Sequence, residues 1–458
     1  MKRLVFCFDG TWNKLDAKDA TNVVITAESV VPVARDGIAQ LIYYDEGVGT
    51  TKTDRIRGGV FGRGLVQNLA EAYRFLIFNY TPGDDIYIFG FSRGAYTARS
   101  FAGLLSSCAI ALRKHANRVY EAIEKYKSRN KSQSYLEEML SFRKDISPEV
   151  CVSDDEVTWR KANLPGFNES SSRILSIKYL GVWDTVGALG IPASFAWFSW
   201  VNRRHHFHDT DLSPFVKSAR HAVAIDEHRR DFFPTLWTNL ESLNERSGFV
   251  GSLEDAPYQQ VWFPGNHGST GGGGERRGLS DQALDWILDG ARKSGLDLDH
   301  SQHSRIFELQ PDYSEYLENS VDNGIFYKVM NIFAAGDRLP GPSKLEEVSV
   351  SAKRRWKLNS ELLRDNKLYR PPTLVKLSKD LDALELEGFE SGGPLETKSA
   401  FKLYEVKRGD TLSGIAKEHL GSAKFADQIF KANLDKLENK HRIYAGRVLR
   451  IPLVPLPK

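Results

Sequence analysis

Short apolar runs alternate with polar stretches of helical spacing from the first residues to about position 345. LVFCF (4–8), QLIYYD (40–45), DIYIFG (85–90), ILSIKYLGVW (174–183) and YQQVWF (258–263) are rich in β-branched and aromatic residues, which predicts strands. Asn68 to Asn79 and Ala95 to Leu112 carry the spacing of helices that pack on them. Strands that alternate with helices predict an α/β fold, with a mostly parallel sheet and helical insertions. Residues 113–150 mix dense Lys, Arg and Glu with spaced apolar positions, the pattern of a solvated helical excursion.

The pattern changes after position 345. RPPTLV, the acidic DLDALELEGFE and SGGP predict a trailing segment and linker over 346–401. A compact unit follows over 402–453. Residues 402–458 carry 12 Lys and Arg against 6 Asp and Glu, while the whole chain of 458 residues is only +3. That asymmetry predicts two modules with different partners. A net +3 gives the whole chain no case as a nucleic-acid binder.

Cys7, Cys108 and Cys151 are the three cysteines, and no C-x-x-C occurs, which argues against a disulfide framework and a thiolate metal site. At the N-terminus, MKRLVFCFDGTWN, the apolar run Leu4 to Phe8 is too short for the core of a signal peptide. The expectation is a chain made soluble in the cytoplasm. If it acts outside the cell, a machine other than the general secretory route must carry it.

Candidate chemistry begins at Gly90-Phe91-Ser92-Arg93-Gly94, a G-x-S-x-G between a strand and a helix. Such a turn strains the serine backbone and presents its hydroxyl, while small neighbours let other backbone pass closely. A serine here also suits a helix cap, so the motif needs partners. A nucleophilic serine needs a base, and the base needs an acid, in the order Ser, Asp, His for this fold. Asp184 follows the strand ending at Trp183, and His267 follows the strand YQQVWF. All three lie past carboxyl ends of strands, the edge at which open parallel sheets bind ligands. The turn after the first strand, Asp9-Gly10-Thr11-Trp12-Asn13, offers backbone N–H groups. Gly10 with Arg93, the residue after the serine, would form an oxyanion hole, with Asp9 bracing the turn.

Other residues compete for attention. His221, in ARHAVAIDEHRR, falls on an expected helix, with a structural contact to Asp226 or Glu227. The run His205-His206-Phe207-His208-Asp209 raises a metal site, though adjacent histidines rarely converge on one ion. GGVFGRG (58–64) lacks the Lys-Ser/Thr of a phosphate loop and predicts a turn. FCFDGT approaches the D-x-D-G-T of haloacid-dehalogenase phosphatases, but Cys7 stands where their nucleophilic Asp would be.

CFDGTWN, NYTPGDDIYIFGFSRGAYTAR, YLGVWDTVGALG, FHDTDLSPFVKSARHAVAIDEHRRDFFPTLW and VWFPGNHGSTGGG occur in that order. Together they resemble the catalytic domain of first-class type VI secretion lipase effectors, over roughly residues 1–340. The resemblance implies an α/β-hydrolase fold acting on phospholipids through a Ser-Asp-His triad: Ser92 as nucleophile, Asp184 as orienting acid and His267 as base. One departure stands out. The family reads G-x-H-S-D-V-G-G-G where this chain has Gly265-Asn266-His267-Gly268-Ser269-Thr270-Gly271, so Ser269 replaces an Asp.

The tail YEVKRGDTLSGIAKEHLGSAKFADQIFKANLDKLENKHRIYAGRVLRIP resembles a LysM module of βααβ pattern, a family that binds N-acetylglucosamine polymers such as peptidoglycan. The resemblance implies glycan contacts from Gly409, Asp410 and Thr411, after the first strand, and from Asn433 and Leu434, before the second. Its basic surplus suits an anionic wall. Alternatively the module docks to protein. IPASFAWFSWV (191–201), crowded with Phe and Trp, suits either a lid at a lipid surface or core packing.

The resulting expectation is a serine esterase, phospholipase A in type, acting as an antibacterial effector that binds the target's wall near its membrane. It implies a phospholipid substrate and peptidoglycan as partners, with a secretion spike and an immunity protein, and needs no metal or organic cofactor. A hydrolase of another ester, such as an acylated glycan, and a non-catalytic wall-binding or docking protein are the alternatives.

Overall fold

The first strand shows how the sheet is made. Leu4, Phe6 and Phe8 point to one face and Val5 and Cys7 to the other, all buried, so the strand needs cover on both sides. In this computed structural model, which describes residues 1–10, 19–47, 60–130, 132–168, 173–186, 211–229, 232–317, 338, 340–387 and 401–453, that cover is helical. The strands are β1 (Arg3–Phe8), β2 (Gln40–Asp45), β3 (Asp85–Phe91), β4 (Tyr179–Trp183), β5 (Ala219–Ala224) and β6 (Tyr258–Phe263). They form one sheet in the order β2-β1-β3-β4-β5-β6, with every neighbouring pair parallel.

The covering helices are α1 (Asn22–Ser29), α2 (Val60–Asn79), α3 (Arg93–Cys108) and α4 (Gly278–Lys293), with α5 (Val350–Lys357) at the sheet's edge. Leu69 and Tyr73 of α2 and Phe101 of α3 pack on Phe6, Phe8, Ile86 and Ile88. Val23 and Val24 of α1, with Leu284 and Ile287 of α4, pack on Val5, Phe89 and Trp183. GGVFGRG therefore does not form the expected turn from residue 60 on, because α2 starts at Val60. Helices Val119–Lys127 and Gln133–Ile146 occupy the charged excursion, and their apolar residues Ile123, Tyr126, Met139 and Phe142 join the core on the α3 side.

β5 corrects the expectation of a helix around His221. All six of its residues are buried, and Arg220 and His221 interrupt what would otherwise read as an apolar strand. Only Tyr179–Trp183 of the long run 174–183 enters the main sheet.

Residues 346–383, within the stretch expected as trailing segment and linker, are packed. Val348, Ala352, Trp356, Leu374, Leu377 and Leu381 form one cluster with Val223, Ile225 and Trp262 of the sheet region. The Ser349 N–H donates to the Trp262 carbonyl at 2.9 Å. The segment thus covers β6, which would otherwise be an open edge strand.

The tail forms β7 (Phe401–Glu405), helices α6 (Leu412–Leu420) and α7 (Ala426–Lys431), and β8 (Val448–Pro452), with β7 and β8 antiparallel. Its own core gathers Val406, Leu412, Ile415, Ile429, Phe430, Leu449 and Ile451. This βααβ unit sits against α4 and α5. Asp281, Asp285 and Asp289 recur every four residues along α4, one face of a helix. Lys436 pairs with Asp285, and Arg447 lies 3.8 Å from Asp289, whose carboxylate also accepts from Val448 N–H at 3.3 Å. Lys353 of α5 meets Glu438 at 2.6 Å, and Arg354 donates to the Leu437 carbonyl at 2.6 Å. The basic surplus of the tail, expected to suit an anionic wall, is thus partly spent inside the chain.

Lys436 is largely buried at this junction, and its loss takes from Asp285 a closer cation than Arg292, 3.5 Å away. Lys436→Met is expected to lower the unfolding free energy by roughly 1.5–3 kcal/mol, the range for a hydrogen bond to a charged group. Urea unfolding of the full chain measures it, and an unchanged midpoint would show that the pair does not hold the module in place.

Candidate active site

Sheet register gathers the site. Phe8 lies opposite Gly90, Phe91 opposite Trp183 and Ala224 opposite Phe263, so the carboxyl ends of five strands finish nearly level. Ser92 follows β3 directly, Asp184 follows β4 directly, and His267 opens the short helix His267–Gly271 soon after β6.

Ser92 has φ 58° and ψ −122°, a conformation that costs a non-glycine residue about 1–3 kcal/mol. Packing enforces it. The Ser92 N–H donates to the Trp183 carbonyl at 3.1 Å, tying the turn to β4. A Cβ on Gly94 would stand 2.2 Å from the Phe8 carbonyl oxygen and 2.4 Å from that of Asp9, so α3 meets β1 backbone to backbone. The sequence suggests a serine clear of the surface, but Ser92 is only 6% exposed. Asp184 also sits at positive φ, 38°, at the mouth of its own strand.

These turns bring three side chains into one line. The Ser92 hydroxyl lies 2.8 Å from His267 Nε2, and His267 Nδ1 lies 2.6 Å from Asp184 Oδ2. The partners assign the tautomer: Nδ1 carries the proton toward the carboxylate, and Nε2 accepts from the serine. Asp184 accepts further bonds from Ala224 N–H at 2.9 Å and from both terminal nitrogens of Arg338, at 2.5 and 2.8 Å. Burial alone would raise this carboxyl. The Arg338 charge and the hydrogen bonds from His267 and Arg338 outweigh burial and hold it well below the ordinary range. A lowered folded-state value means Asp184 contributes stability above about pH 4 that is lost as the pH falls into acid.

The imidazole of His267 lies against two rings, Phe91 at 4.7 Å and Phe232 at 4.8 Å. Its backbone N–H donates to Glu227 Oε2 at 3.2 Å, and Glu227 is paired with Arg229. Next to it, the buried Asp226 accepts from Gly265 N–H at 2.7 Å and from the Tyr369 hydroxyl at 2.9 Å. Burial outweighs these bonds and pushes the Asp226 carboxyl up to about 6. The folded chain then holds this proton to a higher pH than the unfolded chain does. Its contribution to stability is present below about pH 4, its unfolded value, and is lost as the pH rises through about 6. Asp226→Asn is expected to gain on the wild type between those limits, by on the order of 3 kcal/mol. Urea unfolding of both chains at pH 4 and pH 7 checks it, and a pH-independent difference would refute it.

Several expected residues take other roles. Gly10 N–H donates to the Asp9 carboxylate at 2.6 Å, so in this arrangement it is not available to an oxyanion. Asp9 also accepts from Thr21 at 2.5 Å and Tyr44 at 2.9 Å, and so braces the turn. Arg93 begins α3 immediately after Ser92, which places its backbone N–H beside the nucleophile. His221 accepts from Thr185 N–H at 3.1 Å and bonds Gln260 at 3.0 Å, rather than reaching Asp226 or Glu227. Burial, helped by the nearby Arg99 charge, pushes its imidazole down to about 3, so it is a neutral strut. His205, His206, His208 and Asp209, like the whole of 191–201, lie outside the described residues.

In the tail, Asn433 is fully buried, donating to the Ile429 and Arg450 carbonyls at 2.7 and 2.9 Å and accepting from Arg450 N–H. Leu434 belongs to the module's core. Both side chains build the unit and are withdrawn from any glycan in this arrangement. Asp410 accepts from Tyr404 and Lys407, and Thr411 caps α6, so these two shape an exposed loop whose tip is Gly409.

Arg338 was not foreseen. It follows Gly336-Asp337, far from any strand motif, and only the need of a buried carboxylate for a cation points to it.

Residues 2–290, more than half of the chain, match the family described as T6SS phospholipase effector, Tle1-like, catalytic domain. The chain belongs to this family. Residues 404–452 of this Tle1-like protein match the LysM domain. The uncharacterized protein YEL023C of Saccharomyces cerevisiae is 27% identical over 258 residues, 52% of this chain and 33% of the relative. The potassium binding protein Kbp of Escherichia coli O6:H1 is 48% identical over 54 residues, 12% of this chain and 36% of that protein. The chain therefore spans about a third of the length of these curated relatives. Among solved structures, the Tle1 effector bound to the VgrG spike of the type 6 secretion system is 16% identical, covering 69% of this chain and 77% of its own, with a TM-score of 0.38. An uncharacterized protein from Pseudomonas aeruginosa is 15% identical, covering 85% and 61%, with a TM-score of 0.36. Where the Tle1-like pattern has Asp, Ser269 donates to the Leu317 carbonyl at 3.2 Å, and its N–H meets the Asn266 cap at 2.9 Å.

Proposed function

We propose that the protein is a serine esterase that hydrolyses acyl esters of phospholipids, phospholipase A in type. The observation that carries this reading is the unbroken chain Ser92–His267–Asp184, built on a strained strand-to-helix turn. Ser92 Oγ attacks the ester carbonyl carbon while its proton passes to His267 Nε2. The backbone N–H of Arg93 supports the negative oxygen of the tetrahedral intermediate. As the intermediate collapses, the His267 proton goes to the leaving alcohol and Ser92 keeps the acyl group. Water, deprotonated by His267, then releases the fatty acid and restores the serine. Asp184 holds the ring and balances the charge it gains.

Membership of the Tle1-like family supports a phospholipid substrate and delivery by a type VI system. A secretion spike and an immunity protein are partners that this reading adds. The producing cell's cytoplasm and the target's periplasm are the compartments this reading implies. Among the described residues, no helix is long and apolar enough to cross a membrane. The LysM match supports binding to peptidoglycan or a related N-acetylglucosamine polymer through the exposed loop at Gly409.

Product analysis tests the reading. The full chain is incubated with mixed bacterial phospholipid vesicles and, separately, with acetylated peptidoglycan. Fatty acid with lysophospholipid is the expected product. Acetate from the glycan, with intact lipid, would move the substrate to acylated wall polymers.

A further inference from the structure

Arg338 is 2% exposed and carries its charge into the site beside a carboxylate that has no exposure at all. Its fork spans Asp184, one terminal nitrogen on each oxygen, and the same two nitrogens reach the Ala224 carbonyl at 3.0 Å and the Phe232 carbonyl at 2.6 Å. Four fixed acceptors give the guanidinium one orientation, and through it give the carboxylate one orientation.

An Asp-His-Ser line needs no such cation. The carboxylate ordinarily stabilises the imidazolium that forms when the serine gives up its proton. A bidentate guanidinium on that carboxylate cancels much of its charge as seen by the ring. Around His267 the structure also places Glu227 at its backbone N–H, Arg229 paired to Glu227, and, two residues earlier in the chain, the Gly265 N–H on the buried Asp226, which His228 approaches. The Glu227 and Arg229 charges oppose each other. Phe91 and Phe232 contribute no charge.

We propose that Arg338 is a positioning residue of this site: its fork fixes the Asp184 carboxylate in one orientation and offsets part of the charge that carboxylate presents to the His267 ring. The proposal deepens the serine-esterase reading and rests on it for its consequence in catalysis. It gives the site a trade. Geometry and an ionised acid are secured, while the imidazolium of the reacting state receives less help than an unpaired carboxylate would give.

The test reads His267 directly. Ring-carbon NMR titrations of the full chain follow its imidazole in the wild type, Arg338→Gln and Arg338→Lys, with the signal assigned by its loss in His267→Gln. Removing the cation is expected to raise the proton affinity of His267 by about tenfold, one unit of pH in the midpoint. Lysine keeps the charge without the fork and should leave the midpoint near the wild-type value. A midpoint unchanged in Arg338→Gln overturns the proposal, and so does one that moves equally in both variants, since that reports lost structure and not lost charge.

A fluorophosphonate probe run on the same samples tests the underlying reading separately. Labelling of the wild type that disappears in Ser92→Ala supports a nucleophilic serine, and its acid limb should follow the NMR midpoint in each variant. No labelling, with the NMR shift intact, would defeat the esterase reading while leaving the role of Arg338 toward the imidazole standing.

Discussion

Ser92→Ala is expected to reduce fatty-acid release by a thousandfold or more, on the order of the loss seen when a triad nucleophile is deleted. The Oγ atom is the only group of the line that can form the acyl bond, and it stands 2.8 Å from the base that takes its proton. The variant keeps whatever the rest of the site does for a bound ester, so a trace of hydrolysis remains. The fold should be almost untouched. Ser92 makes no side-chain cap bond to α3, and alanine accepts the strained φ of 58° no better and no worse than serine. Release assays paired with thermal unfolding separate the two effects. Equal release from both chains would place the nucleophile elsewhere, and a lost fold would make the assay speak of stability instead.

Gly94→Ala should damage the protein itself. The new methyl would fall 2.2 Å from one backbone oxygen and 2.4 Å from the next, both on the segment that leaves β1. Backbone cannot turn aside as a side chain can, so α3 must lift from the sheet. Overpacking of this kind typically costs 1–3 kcal/mol, and a clash with two carbonyls lies at or beyond the upper end, roughly 3–5 kcal/mol. Since α3 begins one residue after Ser92, its displacement also carries the serine off the line to His267. Low soluble yield, a depressed urea midpoint and lost release in any soluble fraction are the expected signs. Wild-type stability would show that the contact between α3 and β1 is looser than described.

Much of the central sheet was legible because parallel strands covered on both faces leave uninterrupted apolar runs. LVFCF, QLIYYD, DIYIFG and YQQVWF match β1, β2, β3 and β6 to within a residue. β5 was not legible, since Arg220 and His221 break its run and their partners, Trp286 and Gln260, come from elements distant in sequence. The positions of Ser92, Asp184 and His267 could be named because each follows a strand end. Arg338 follows none. Its place is set by a carboxylate 154 residues earlier, a pairing no local pattern encodes. The LysM resemblance implies glycan contacts at Asn433 and Leu434, and it does not reveal that here their side chains close the module's own core. Residues 346–383 read as a trailing segment because Lys, Arg and Glu dilute their apolar residues, which nonetheless gather on Val223, Ile225 and Trp262 of the sheet region.

The seating of the tail against α4 and α5 bears on reach. A module on a loose string lets its cargo sweep a volume set by the string's length, and anchorage then only raises local concentration. Here Lys436, Arg447 and Glu438 are held by Asp285, Asp289 and Lys353. Anchorage through the loop at Gly409 would then act as a compass as well as an anchor, setting the heading of the sheet's carboxyl edge. An ester on that heading meets Ser92 without a search. One that lies off it stays out of range however close it is.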